Sequence, residues 1–325
     1  MKFSASITYR YLAPLWIVLF LCVFFAVQRP CNAAGDKPVS VFRCLVLASS
    51  KAEPYMQALS GIKGVLESMP AVGVSRLHVE VVDGISPVQI VKNVLSMSPD
   101  IIVSIGTPAT DMLASSGISV PVIYSMVLDP SDSVRNRPGF AGVVLDIPLG
   151  EQIAWFSRIV PDVENLSVLY SEESEAWLSR IREAATVSGV EITGIRFSGR
   201  ADLVDALSSV VGRTQGLLAI PDGTIYNQVI TPRIIYFTLE NRLPFMGLSS
   251  NFTRAGALFS LDCDYVDIGR QTGEMAARIL LGENIDSMPD EFPERITPVI
   301  NIRSARILGI KIREDIQKKA VIINR

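Results

Sequence analysis

The chain has 325 residues, 49% hydrophobic and 19% charged, with 30 basic and 33 acidic side chains and a formal net charge of −3. So much apolar material with so little net charge excludes a disordered chain, and no basic stripe exists to neutralise nucleic-acid phosphates. With 22 Gly and 19 Pro showing no period and only 4 Cys, collagen-like and disulfide-scaffold chains are excluded too, and the length predicts two domains of ordinary size.

At the N-terminus, Lys2 and Arg10 precede an apolar run from Tyr11 to Val27, and Gln28, Arg29 and the stretch Cys31-Asn32-Ala33-Ala34 follow. Charged start, apolar middle and small-residue end are the layout of a secretory signal. Residues 1–33 are therefore expected to be a signal peptide, cleaved after Ala33 or Ala34, that delivers the protein to the periplasm. An uncleaved anchor is the alternative, because the run is at the lower limit for a spanning helix.

From Val41 onward, short apolar runs alternate with amphipathic segments. Val41 to Ala48 reads as a buried strand and Pro54 to Met69 as a helix. Next come strand His78 to Val82, a helix opened by the capping-box pattern Ser86-Pro87-Val88-Gln89, strand Asp100 to Ile105, a helix from Thr107-Pro108, and strand Pro121 to Val127. This order predicts a parallel sheet covered by helices on both faces. The lone histidine, His78, stands in the alternating run Leu77 to Val81 and reads as an ordinary strand residue. One His and scattered carboxylates provide neither a metal-ligand spacing nor a His-based triad, so no metal and no cofactor is expected.

The pattern resets at Val143 to Pro148, a strand-like passage leading into a helix from Glu151 to Ile159. Strand Leu166 to Tyr170 follows, then a helix begun by Ser174 with Trp177, Leu178, Ile181 and Ala185 on one face and Gly189 as its stop. Strand Glu191 to Phe197, helix Ala201 to Val211, strand Leu217 to Ile220, helix Thr231 to Asn241 and strand Pro244 to Leu248 complete a second series. In the last third, Ala257 to Leu261 and Thr297 to Ile302 read as strands, Asp267 to Leu281 as a helix, and Ile307 to Ile316 as short and helical. The fold class expected is α/β, with two doubly wound parallel-sheet lobes joined by three crossings near Val143, near Leu248 and after Leu261. The N-terminal lobe is drawn as 39–145 plus about 250–262, the C-terminal lobe as 146–249 plus about 263–302, and 303–325 as an extension. Cys44 and Cys263 are expected to be buried free thiols.

Doubly wound sheets bind ligands beyond the carboxyl ends of their strands. The residues there are small hydroxyl or carboxylate types: Ser49, Ser50, Thr107, Ala109, Ser125 and Asp129 after the first series, and Tyr170, Ser174, Asp222, Thr224 and Ser249 after the second. Free N–H groups near Thr107 and Ser174 can hold a carboxylate, and Asp129 and Asp222 can accept an ammonium or hydroxyls. Each also has a plain structural reading as a cap or turn residue. Asp262 and Asp264, alternate on an extended segment, point to opposite faces, a poor arrangement for acid–base work. No nucleophile elbow, Walker sequence or metalloprotease motif is present, so an enzyme is not expected.

Several runs together resemble the ABC-transporter substrate-binding proteins whose best-known members bind aromatic amino acids. They are Gly106-Thr107-Pro108-Ala109-Thr110, Val127-Leu128-Asp129-Pro130, Tyr170-Ser171-Glu172-Glu173-Ser174, Pro221-Asp222-Gly223-Thr224 and the long run from Tyr265 to Leu280 followed by Gly282-Glu283. The resemblance implies a type I periplasmic binding protein fold, two lobes closing on a ligand, with Thr107, Ala109, Ser125, Asp129, Ser174 and Asp222 facing the cleft. It departs from the family at Ser49-Ser50-Lys51-Ala52-Glu53-Pro54, where aromatic-amino-acid binders carry a Gln and an acidic-His pair. The function expected is that of an exported, monomeric solute-binding protein. It would capture a small polar ligand such as an amino acid and deliver it to a membrane permease. The alternatives are a sensor feeding a membrane receptor kinase and an exported hydrolase.

Overall fold

A computed structural model describes residues 41–68, 73–199 and 202–324, so the expected leader lies outside the described residues. The first lobe is built from β1 (Val41–Ala48), α1 (Glu53–Ser68), β2 (Gly73–Val81), α2 (Pro87–Met97), β3 (Ile101–Ile105), α3 (Thr107–Ser115), β4 (Val122–Val127), α4 (Asp132–Arg135) and β5 (Phe140–Val144). Its five strands are parallel in the order β2-β1-β3-β4-β5. Alternate residues of β1 serve opposite faces: Cys44, Val46 and Ala48 join Ile62 and Leu66 in one apolar cluster, while Leu45 and Leu47 join Ile90 and Leu113 in another. Burial on both faces is why these strands read as continuous apolar runs. The passage at Val143, expected to open the second series, instead ends β5, the fifth strand of this sheet. The capping box at Ser86 is half formed. Gln89 donates its amide N–H to Ser86 Oγ at 3.3 Å, but its side chain turns to Asn93.

The second lobe follows with α5 (Leu149–Ile159), β6 (Asn165–Tyr170), α6 (Glu175–Thr186), β7 (Glu191–Arg196), α7 (Leu203–Ser208), β8 (Leu217–Leu218), α8 (Thr231–Glu240), β9 (Phe245–Met246), α9 (Ser250–Ala255) and β10 (Phe259–Cys263). Trp177, Leu178, Ile181 and Ala185 of α6 are all buried, as their spacing predicts, and the helix is followed by Gly189 at φ +70.

The final elements are α10 (Tyr265–Leu280), β11 (Ile296–Asn301), α11 (Ile302–Leu308), α12 (Glu314–Gln317) and β12 (Val321–Ile323). The second sheet runs β12-β11-β10-β9-β8-β6-β7, parallel except for the antiparallel β10–β11 pair.

This corrects the expected assignment of the last third. Segment 250–262 belongs to the second sheet, since β10 pairs with β9 and β11. Helix α10 returns to the first lobe, where Ile268, Met275 and Ala276 share a cluster with Ile62 and Leu66 of α1. The two helices approach so closely that a Cβ on Gly269 would collide with the Ala58 carbonyl oxygen, and one on Gly61 with that of Val266. Segment 303–325 is no appendage. Strand β12 pairs with β11, and Ile312 and Ile316 lie in the second-lobe core. The three crossings therefore fall at residues 145–148, at Asp264 and at 291–295. They are tied together: Val144 N–H donates to the Glu291 carbonyl at 3.0 Å, and Asp264 N–H to the Arg295 carbonyl at 3.2 Å.

Candidate functional site

The carboxyl ends of both sheets carry the polar residues that sequence singled out, but most of them are already engaged. In the first lobe, Ala109 donates its N–H to Ser49 Oγ at 3.0 Å, so a serine from β1's end caps α3. The helix's own flanking residue, Gly106, has φ +90 and no side chain to offer, and a Cβ there would meet Ser49 Oγ at 2.8 Å. The Ala109 methyl is buried in the core and Ser50 Oγ accepts from Ala52 N–H at 3.2 Å, whereas Thr107 stays partly exposed at the rim. Ser125 does not face the cleft as the resemblance implied. It shares the face of β4 that carries Ile123 towards α10, is fully buried, and accepts a hydrogen bond from Thr272 Oγ1 at 2.8 Å.

In the second lobe, Asp222 is saturated. Its Oδ2 accepts from Ser171 N–H at 3.1 Å, Ser171 Oγ at 2.7 Å and Ser174 Oγ at 2.6 Å, and its Oδ1 from Ile225 N–H at 3.0 Å. Burial works against ionisation here, but the Ser174 and Ser171 hydroxyls and the two amides outweigh it and hold the carboxyl below the usual range. Ser174 and Asp222 thus spend their hydrogen bonds on each other. Tyr170 packs against the second-lobe core, Thr224 is exposed, and Ser249 stands partly exposed before α9.

Asp129, at φ +46, makes a two-pronged pair with Arg180 of α6: Nη1 donates to Oδ1 and Nη2 to Oδ2, each at 2.9 Å. Arg135 adds a contact to Oδ1 at 3.1 Å. Burial raises the Asp129 pKa, but these two guanidinium groups more than offset it and hold the carboxyl low. The pair joins the first lobe to the second. Arg180 also lies over the Trp177 ring, 3.9 Å from its centre.

Beside this pair lies a cavity of about 270 Å³ at the crossings, lined by residues of both lobes. Its walls are largely apolar, with Leu128, Leu145, Trp177, Met246, Leu248 and Tyr265 prominent, and its polar groups include Asp146, Asp262 and, of the residues nominated from sequence, Ser249. Asp146 is the distinctive group. Its Oδ2 accepts from Asp129 N–H at 3.1 Å, while its Oδ1 is buried without a hydrogen-bond partner among the described residues. Burial pushes its pKa up to about 6; the Asp129 N–H, Arg180 and Arg135 oppose that rise, and the Asp129 charge adds to it. Sequence reading passed over both Asp146 and Arg180. The available signal was a single carboxylate inside the apolar run Leu145-Asp146-Ile147, and a cation one turn after Trp177. Asp262 and Asp264 do separate work, accepting from Ser250 N–H and Asp267 N–H. Cys44 and Cys263 are free thiols, each pushed up to about 12 by burial, which leaves them protonated at neutral pH.

Comparison with known proteins identifies this architecture. A ligand-free, open substrate-binding protein with adhesive properties from Clostridium difficile superposes with a TM-score of 0.74 at 18% identity, over 87% of this chain and 99% of that one. A domain from Streptococcus pneumonia in complex with L-Trp superposes with a TM-score of 0.58 at 21% identity, over 88% and 100%. These likenesses establish the fold, two α/β lobes of the type I periplasmic binding protein kind, as the resemblance implied. In sequence, a tyrosine-binding protein of Clostridioides difficile is 22% identical over 226 residues, which is 67% of this chain and 65% of that protein's length. The model of the ABC transporter substrate binding proteins, a family of binding proteins rather than enzymes, matches residues 62–323, and the chain belongs to that family.

Proposed function

We propose that this protein captures a free α-amino acid with an aromatic or large apolar side chain between its lobes and delivers it to the permease of an ABC importer, after export directed by its N-terminal leader. The observation that carries this reading is the cavity at the crossings. Apolar walls that include Trp177, Leu248 and Tyr265 surround a carboxylate, Asp146, with one oxygen unpartnered among the described residues. Apolar lining with a few placed polar groups is the usual composition of a small-molecule site, and a buried carboxylate lacking a cation is matched by an ammonium. The amino-acid ligands named for the pneumococcal domain and the clostridial relative point the same way. Ligand bound across both lobes stabilises the closed form and the fold together.

Isothermal titration with L-tryptophan, L-tyrosine, L-phenylalanine and L-leucine, with D-ribose as the contrast, tests the reading. At least one amino acid is expected to bind and to raise the melting temperature, with affinity increasing as pH rises through about 6, where Asp146 ionises. Binding of ribose with no response to any amino acid would discard it.

A further inference from the structure

We infer that Arg180 receives the ligand's carboxylate in place of Asp129, which holds the same two guanidinium nitrogens in this structure. The inference rests on the reading that the ligand is an α-amino acid, whose carboxylate needs a partner as surely as its ammonium does. The helix N-termini nominated from sequence serve this poorly. Ser49 already takes the Ala109 N–H, and Ser174 is committed to Asp222.

Arg180 has the required chemistry and position. A guanidinium presents two parallel N–H donors to any carboxylate, and here both are aligned on the two oxygens of Asp129 at 2.9 Å. Its Nε is buried with no hydrogen-bond partner among the described residues, so the group retains a donor beyond the pair. It lies over the Trp177 ring, which lines the cavity. The residues beside and bonded to Asp129, Leu128 and Asp146, line it too. The ion pair therefore stands at the cavity rim, bridging a loop of one lobe and a helix of the other.

Exchange is also balanced in charge. When a ligand carboxylate takes the Arg180 fork, Asp129 keeps Arg135, 3.1 Å from Oδ1, and no charge is stranded. Arg135 itself is the weaker candidate, because it lines a different cavity, with Arg137 and Phe140 of the first lobe.

The test is calorimetric titration of the protein with L-tryptophan, L-tryptophanamide and tryptamine, the last two keeping ring and ammonium but lacking the anionic carboxylate. Wild type is expected to favour the acid, and Arg180→Gln to weaken the acid by roughly 30-fold while changing the amide by less than about 3-fold, the scale of one charged hydrogen-bonded contact. Arg180→Lys should recover part of the loss. Asp129→Asn, by weakening the internal competitor, should tighten the acid several-fold, and it decides the matter if Arg180→Gln does not fold. An unchanged acid-to-amide preference in Arg180→Gln, or weaker acid binding by Asp129→Asn, overturns the inference. If wild type binds neither tryptophan nor any other amino acid, the functional reading fails instead, and the two failures are told apart by the wild-type titration alone.

Discussion

Asp222 and Asp146 are both carboxylates near the junction of the lobes, and the protein treats them in opposite ways. Asp222 accepts four hydrogen bonds within its own lobe, and its charge is fully satisfied without a ligand. Asp146 accepts one, from the Asp129 N–H just beyond the neighbouring strand β4, and its other oxygen, beside an apolar cavity, has no partner among the described residues. A polar residue at a strand's end is therefore no guide to binding by itself. What marks a site is polarity left unspent, since a buried group without a partner is costly unless something arrives to meet it.

The contrast can be broken most directly at Asp222. Asp222→Ala strands two amides and two hydroxyls, and a loss of about 3–5 kcal/mol is expected at ~1 kcal/mol or more per group. Denaturant unfolding measures it, and a loss under 1 kcal/mol would show that the second-lobe cluster is not structural. Asp146→Asn should do the reverse. With its folded pKa raised to about 6 from an ordinary 3.8, ionised Asp146 weakens the fold. Its penalty is absent below both values, grows as pH rises from about 4 to about 6, and is complete above that range. Asp146→Asn is thus expected to be more stable than wild type by about 1–3 kcal/mol at pH 8, with the difference vanishing below pH ~4. Parallel melting curves across pH would contradict this. The smallest effect is expected at Ser49→Ala, which removes a cap supplied from another strand and should lower stability by about 0.5–2 kcal/mol. A larger fall in ligand affinity than in stability would return Ser49 to the binding site.

Much of the fold was legible from the chain itself, for reasons particular residues make plain. Val41 to Ala48 matches β1 because its inner stretch, Cys44 to Ala48, is buried on both faces and is apolar throughout. Trp177, Leu178, Ile181 and Ala185 marked the inner face of α6 because helical period alone selects it. The short pieces were less readable. Strand β12 and helix α9 have too few residues for a period to emerge, and β8 and β9 shrink to two residues each where longer runs were expected. The site was half legible. The strand-end hydroxyls and carboxylates were found, but which of them remain free depends on partners as distant as Ala109 from Ser49, or Thr272 from Ser125.

The sequence by itself determined the alternation of strands and helices, the coverage of both sheet faces, and the presence of two lobes, because these follow from local period and from how much apolar surface each segment must bury. Only the tertiary structure decided that β10 and β12 join the second sheet while α10 returns to the first. An apolar stripe states that a face will be covered and not by what, and the close approach of Gly61 and Gly269 exists only once α1 and α10 are side by side. The same holds for Asp129, Asp146 and Arg180. Hydrogen-bond saturation is a property of neighbours in space, and these three residues become neighbours only where the lobes meet.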